Sequence, residues 1–230
     1  SGFRYSNRAY LIQIRRQGAG TVLIDPVNHG GSPIDVLAPL AEVLGSDEWI
    51  LHAADQDLPC LAAVGLRPPA LYDTDPAGPL AGFDRVNLAA MVQRLLGLGL
   101  AKGHGAADWS TRPLPADWLN YAALDVEMLL ELREAVAEIL DQQNKSHWAA
   151  EEFEYLRRSD PTPTRRDRWR KTSGIHKVRT QQGLAAVREM WTVRDRIARG
   201  RDIAPGRILP DTAIIAAALS QPTTVEEITA

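Results

Sequence analysis

Residues 119–136 read LNYAALDVEMLLELREAV. Leu124, Met128, Leu132, Val136 and, just beyond, Ile139 recur at a helical period, so the stretch predicts an amphipathic helix. Pro115 stands at its start, where a proline suits the first turn. Tyr121 and Asp125 are four residues apart and therefore project from one face of that helix. The face is otherwise Ala, Leu, Met and Val. An acid among leucines is costly unless a cation compensates it, and the compensating group is either an arginine or a divalent metal.

The surrounding chain frames that helix. RAYLIQIRR (8–16) and TVLIDP (21–26) are rich in strand formers and flank QGAG, a hairpin pattern. SPIDVLAPLAEVLGS (32–46) predicts a helix with Ser32 as cap and Pro33 at its first position. EWILHAA (48–54) reads as a short strand, QDLPCLAAVGL (56–66) as a helix, and PALYDTD (69–75) as another strand. Helical pieces follow near 76–82 and 87–96, then a long loop over 97–115. A hairpin followed by strands alternating with helices predicts a mixed α/β domain.

The chain has 230 residues, of which 45% are apolar, enough for one large domain or a medium one with a small companion. It has no apolar run of 18 residues and no signal-peptide pattern, and its single cysteine, Cys60, suits a reducing cytosol. A cytoplasmic protein is expected. Charge is uneven. Residues 1–150 hold 11 Lys/Arg and 18 Asp/Glu, whereas residues 151–230 hold 15 and 11. The stretch 157–179 carries nine basic and two acidic residues, the electrostatic footprint of a nucleic-acid contact or of a solvated linker. A helix over 147–158 precedes the turn-rich SDPTPTRRD (159–167); beyond residue 180 the pattern becomes all-helical, ending in the capping-box pattern of TTVEEITA (223–230).

The chain has no CxxC, HExxH, P-loop or nucleophile-elbow motif, and its histidines do not cluster. What remains is a set of acids. Asp55 and Asp57 follow the 48–54 strand, and Asp57 either caps a helix or belongs to a site. Asp73 caps or turns.

Taken together, RAYLIQI (8–14), ILHAADQDLPCL (50–61) and KGHGAADWSTRPLPADWLNYAALDVEMLLEL (102–132) resemble RNase D, of the DEDD superfamily of 3′→5′ exonucleases. The Tyr-x-x-x-Asp pattern preceded by DWSTRPL is the most specific part. LAAVREMWTVRDRIARGRDIAP (184–205) and LPDTAIIAAA (209–218) resemble an HRDC domain. The resemblance implies a ribonuclease-H-like exonuclease domain, a mixed sheet flanked by helices, over 1–145. A helix and basic linker would fill 146–180, and a small all-helical HRDC domain 181–230. It implies two divalent ions, Mg²⁺ or Mn²⁺, about 4 Å apart, with Asp57 and Asp125 as metal ligands and Tyr121 holding the attacking water. Implied partners are RNA 3′ ends, with tRNA precursors as the typical substrate class. Candidate nucleic-acid contacts are His52, Lys102, Trp109 and Arg112, and Arg170, Lys171, Arg194 and Arg199 in the basic block and helical module; the alternatives are a packed strand-end histidine for His52, stapling of the loop to the next helix for Trp109 and Arg112, and solvated side chains for Lys102 and the basic residues of the block and module. The family's first motif, Asp-x-Glu, would precede Ser1, so the chain is expected to be incomplete at both ends, to bind metal weakly and to be nearly inactive alone. Two other readings stay open: a catalytically silent nucleic-acid binder on the same shell, and a DNA 3′→5′ exonuclease.

Overall fold

The computed structural model describes residues 3–27, 31–100, 103, 105, 107–160, 166–222, 224 and 227. The chain divides into two compact units, Arg8–Thr162 and a second made of Pro163–Ala230 with Ser1–Asn7. Lys102 and most of the helix expected over 223–230 lie outside the described residues.

In the first unit, β1 (Ile12–Arg16) and β2 (Gly20–Ile24) form the expected antiparallel hairpin, Ile12 opposite Ile24. The turn between them carries Gly18 at φ 76°, a left-handed value that favours glycine. Helix α1 (Pro33–Leu44) closes over the hairpin, and Ala9, Ile12, Leu37, Val64 and Leu66 bury together beneath it. A βαβ unit follows: β3 (Glu48–Leu51), α2 (Ala54–Ala63) and β4 (Ala70–Asp73), with β3 and β4 parallel and Leu51 opposite Asp73. After α3 (Thr74–Leu80) and α4 (Leu88–Leu96) come α5 (Ala116–Glu127), α6 (Leu129–Gln142) and α7 (Ser146–Arg158). The main core is Tyr72, Phe83, Met91, Val92, Leu132, Val136, Leu140 and Phe153.

The single helix expected through residues 119–136 is two helices. Met128 interrupts the helical backbone at φ −101° and ψ 3°. The apolar stripe consequently changes register: Leu132, Val136 and Leu140 are buried, whereas Leu124 is 45% exposed and does not anchor the core as expected. Helix α7, expected in a connecting segment, belongs to the first unit, where the Phe153 ring meets Tyr72 at a centroid distance of 4.6 Å.

Among the described residues β1 pairs only with β2, and β3 only with β4. The full lengths of β1 and β3, with Leu61, Leu66, Val126, Leu129 and Leu130, line a cavity of about 320 Å³. Two strand edges thus face an apolar space without a strand between them.

The second unit is helical: α8 (Gln181–Arg201), α9 (Pro205–Ile208) and α10 (Asp211–Ser220), preceded by 3₁₀ turns at Arg168–Lys171 and Ile175–Lys177. Trp169, Val178, Val187, Ile214, Ile215 and Ala218 form its core. Residues 3–7, which precede the hairpin in sequence, make contacts within this unit. The Ala204 N–H donates to the Phe3 carbonyl at 2.9 Å, the Ser6 N–H to Asp202 at 2.8 Å, and the Tyr5 hydroxyl to Asp195 at 3.0 Å. Tyr5→Phe removes a hydrogen bond to a carboxylate and is expected to destabilise these contacts by about 1–2 kcal/mol. Hydrogen exchange at the Ala204 amide reads this directly; unchanged protection there would refute it.

Among the described residues no helix is long and apolar enough to cross a membrane.

Candidate active site

The C-terminal ends of parallel strands are where α/β sheets place their ligands, because the following helices point their N-termini there. Here those ends are Leu51 and Asp73, and α2 and α3 start directly after them. Asp57 lies in the first turn of α2. It keeps contact with solvent, yet protein crowds it: burial, then the charges of Asp73 and Asp55, push its carboxyl up to about 6.

Tyr121 and Asp125 stand one turn apart on α5, as the sequence predicts, and their side chains hydrogen-bond to each other. Burial lifts the Asp125 carboxyl above its ordinary range, and the bond from Tyr121 offsets part of that. Burial and the neighbouring Asp125 push the Tyr121 hydroxyl up, so it stays protonated at neutral pH. Helix α5 is tied to the hairpin through Glu127, which accepts from Thr21 at 2.9 Å and pairs with Arg15 at 3.2 Å. The loop before α5 presses against the same tyrosine. A Cβ built on Gly103 would overlap the Tyr121 ring, and one on Gly105 would come within 3.7 Å of its hydroxyl. Gly103 therefore lets backbone approach the ring where a side chain would not fit, whereas position 105 would accept one.

Asp57 and Asp125 are the right donor type for a hard divalent cation, which would favour the ionised form that burial disfavours. The number is short. Among the described residues no three His, Cys, Asp or Glu side chains are grouped to hold a metal ion. The residues present fit part of a metal centre.

The expected nucleic-acid contacts fare unevenly. Arg112 is spent inside the protein. Its guanidinium donates to both carboxylate oxygens of Asp25 at 2.8 Å and to the carbonyls of Tyr10, Trp109 and Thr111. All five N–H donors are used, leaving none for phosphate. Trp109 packs at 5.4 Å on Trp118 in the first turn of α5, so it staples the loop to that helix. The His52 ring is largely buried, with Nδ1 2.9 Å from the Thr74 hydroxyl. Arg194 is 6% exposed and donates to Asp211 at 2.6 Å and to the Leu209 carbonyl at 2.8 Å, so it is a buried structural arginine. The register of α8 carries the signal for this, since Val187, Arg194 and Ala198 share one buried face. Arg199 stays at the surface but grips Tyr5 and Asp195. Arg170 and Lys171 are exposed, Arg170 with its guanidinium 4.5 Å from the centre of the Trp169 ring. Asp73 caps α3, as the sequence suggests, and does more: its buried carboxylate accepts from the Ala53, Ala54 and Asp75 N–H groups.

Comparison with known proteins finds two domains in the chain. Residues 1–141 match the family described as 3′–5′ exonuclease, and residues 183–230 match the HRDC domain. Ribonuclease D of Jannaschia sp. is 30% identical over 97% of this chain and 58% of its own length. A protein from Bifidobacterium adolescentis is 43% identical in its crystal structure, with a TM-score of 0.83 over 99% of this chain and 55% of that one. Escherichia coli RNase D is 26% identical, with a TM-score of 0.71 over all of this chain and 62% of that one. The chain spans about half the length of the curated relatives it matches. It belongs to the 3′–5′ exonuclease family, with an HRDC match following the exonuclease match, and the curated relatives it resembles are ribonucleases D.

Proposed function

We propose that the protein is a divalent-metal-dependent 3′→5′ exoribonuclease that releases mononucleotides from RNA 3′ ends, with structured precursors such as those of tRNA among its substrates. The observation that carries this is the Tyr121–Asp125 pair, a phenol and a carboxylate bonded across one turn of α5 in a chain of this family. The Tyr121 hydroxyl stays protonated and orients the attacking water. Asp125 and Asp57 would hold divalent ions, Mg²⁺ or Mn²⁺, which when bound would supply Lewis acidity for water activation and for the leaving 3′-oxygen. The remaining acids, an Asp-x-Glu, belong on a further strand. The cavity between the open edges of β1 and β3 supports that assignment, having strand edges on two sides and an apolar lining. The 230-residue chain alone should therefore bind metal weakly and turn over little RNA. Substrates of the structured-RNA class are supported by the E. coli relative, whose structure is described as that of an exoribonuclease involved in structured RNA processing. Phosphate contacts from exposed Arg170 and Lys171 would add sequence-independent, salt-sensitive binding.

The test is the full-length protein on matched RNA and DNA duplexes with 3′ overhangs, in Mg²⁺, Mn²⁺ or EDTA. Mononucleotide release from RNA that EDTA abolishes is the expected result. Binding without release would identify a silent binder, and faster release from DNA a DNA exonuclease.

A further inference from the structure

We infer that Asp73 is a positioning residue for Asp57: its carboxylate ties the start of α2 to the start of α3 and so fixes where the Asp57 side chain stands. The inference rests on the reading of Asp57 as a metal-holding acid. Asp73 ends β4 and is 1% exposed. One of its oxygens accepts the N–H of Ala53 at 2.9 Å and of Asp75 at 3.1 Å; the other accepts the N–H of Ala54 at 2.8 Å. A helix start leaves N–H groups without intrahelical partners, and capping normally serves one helix. This carboxylate serves two.

The turn it holds is not self-supporting. Ala53 sits at φ 62° and ψ 55°, a left-handed backbone that costs a residue with a Cβ about 1–2 kcal/mol. Ala54, beside it, is fully buried. A second tie acts in parallel. The Thr74 hydroxyl donates to the Leu51 carbonyl at 3.1 Å, and His52 Nδ1 lies 2.9 Å from the same hydroxyl oxygen. Since the hydroxyl's one hydrogen goes to Leu51, the imidazole donates through Nδ1–H. Burial lowers the His52 pKa, consistent with that neutral ring.

An asparagine caps helices as well as an aspartate does, but it has one acceptor oxygen. Here three N–H groups converge on two oxygens, and an amide would aim N–H at N–H. The acid is therefore required by the geometry although two further acids, Asp55 and Asp57, stand nearby. Asp57 is three residues from Ala54, less than one turn along α2, so loosening the turn moves its carboxylate. A displacement of about 1 Å at a reacting centre can cost on the order of 100-fold in rate.

The experiment uses the full-length protein and its Asp73→Asn variant, observed by NMR. Amide exchange at Ala53 and Ala54 should rise about tenfold or more, and the Asp57 amide and carboxyl signals should shift, while Leu132 and Val136 stay as they are. Mn²⁺ affinity should fall about 10- to 100-fold, and kcat should fall with KM for RNA unchanged. Should Asp73→Asn fail to fold, Thr74→Val removes the parallel tie and should move the same signals less. Unmoved Asp57 signals in a folded variant would overturn the inference. Failure of Mn²⁺ to broaden the Asp57 signals of the unmutated protein would instead overturn the metal-holding reading, while the shifts in the variant would still show whether Asp73 positions Asp57.

Discussion

Asp125→Asn in the full-length protein is expected to lower kcat on RNA by about 10³-fold while leaving the fold and RNA affinity intact. Asparagine preserves the volume and one acceptor oxygen, so the bond from the Tyr121 hydroxyl survives and α5 keeps its ties to the hairpin through Glu127. What is lost is the negative charge. Burial lifts the Asp125 carboxyl above its usual range, which marks a charge that solvent does not satisfy and a cation can. The loss should therefore appear in metal affinity and in kcat, not in thermal stability. Steady-state kinetics, a Mn²⁺ titration and a thermal scan on the same preparation separate these. A variant that turns over RNA within fivefold of the parent would remove Asp125 from the chemistry.

Much of this arrangement is legible before any coordinates. The hairpin, the βαβ unit and the helices around them follow from period and turn residues, and the shared face of Tyr121 and Asp125 follows from their spacing alone. What is not legible has identifiable physical causes. The stripe through Leu124 and Leu132 looks continuous because helical period carries no mark of a break, and nothing local distinguishes Met128 from a helix interior. Arg112 sits in a loop where phosphate contact and loop stapling use the same guanidinium; only the position of Asp25, 87 residues away in sequence, decides between them. Asp73 looks like an ordinary cap because its second helix, α2, begins before it in the chain and meets it only through the parallel pairing of β3 with β4. Residues 3–7 adjoin a strand in sequence but pair with α8 and the segment after it, a contact of some 190 residues' separation that no local pattern encodes. Arg194 is the exception, since the register of α8 alone points it inward.

Asp57→Asn should act in opposite directions on activity and stability. Turnover of RNA should fall by about 10³-fold, for the reason given for Asp125. Stability at pH 7.5 should rise by a few degrees in Tm, because the parent holds an ionised carboxylate in a place that disfavours it. Burial, Asp73 and Asp55 raise this carboxyl from 3.8 to about 6 in the folded protein. Between those two values the native state binds more protons than the unfolded one, so the stability of the parent falls as pH rises through that window and levels off above it. The advantage of the variant should accordingly be absent at pH 3.5, grow between pH 4 and 6, and stay constant above pH 7. The side chain keeps solvent contact, which limits the gain. A divalent ion reverses the order: it binds the ionised carboxylate of the parent and stabilises that form by mass action, whereas asparagine offers it little. Calorimetric Tm values at pH 3.5 and 7.5, with and without MgCl₂, test all of this at once. A variant less stable than its parent at pH 7.5 without metal, or a Tm difference that ignores pH, would show that Asp57 is held by favourable contacts and is not an acid poised for a cation.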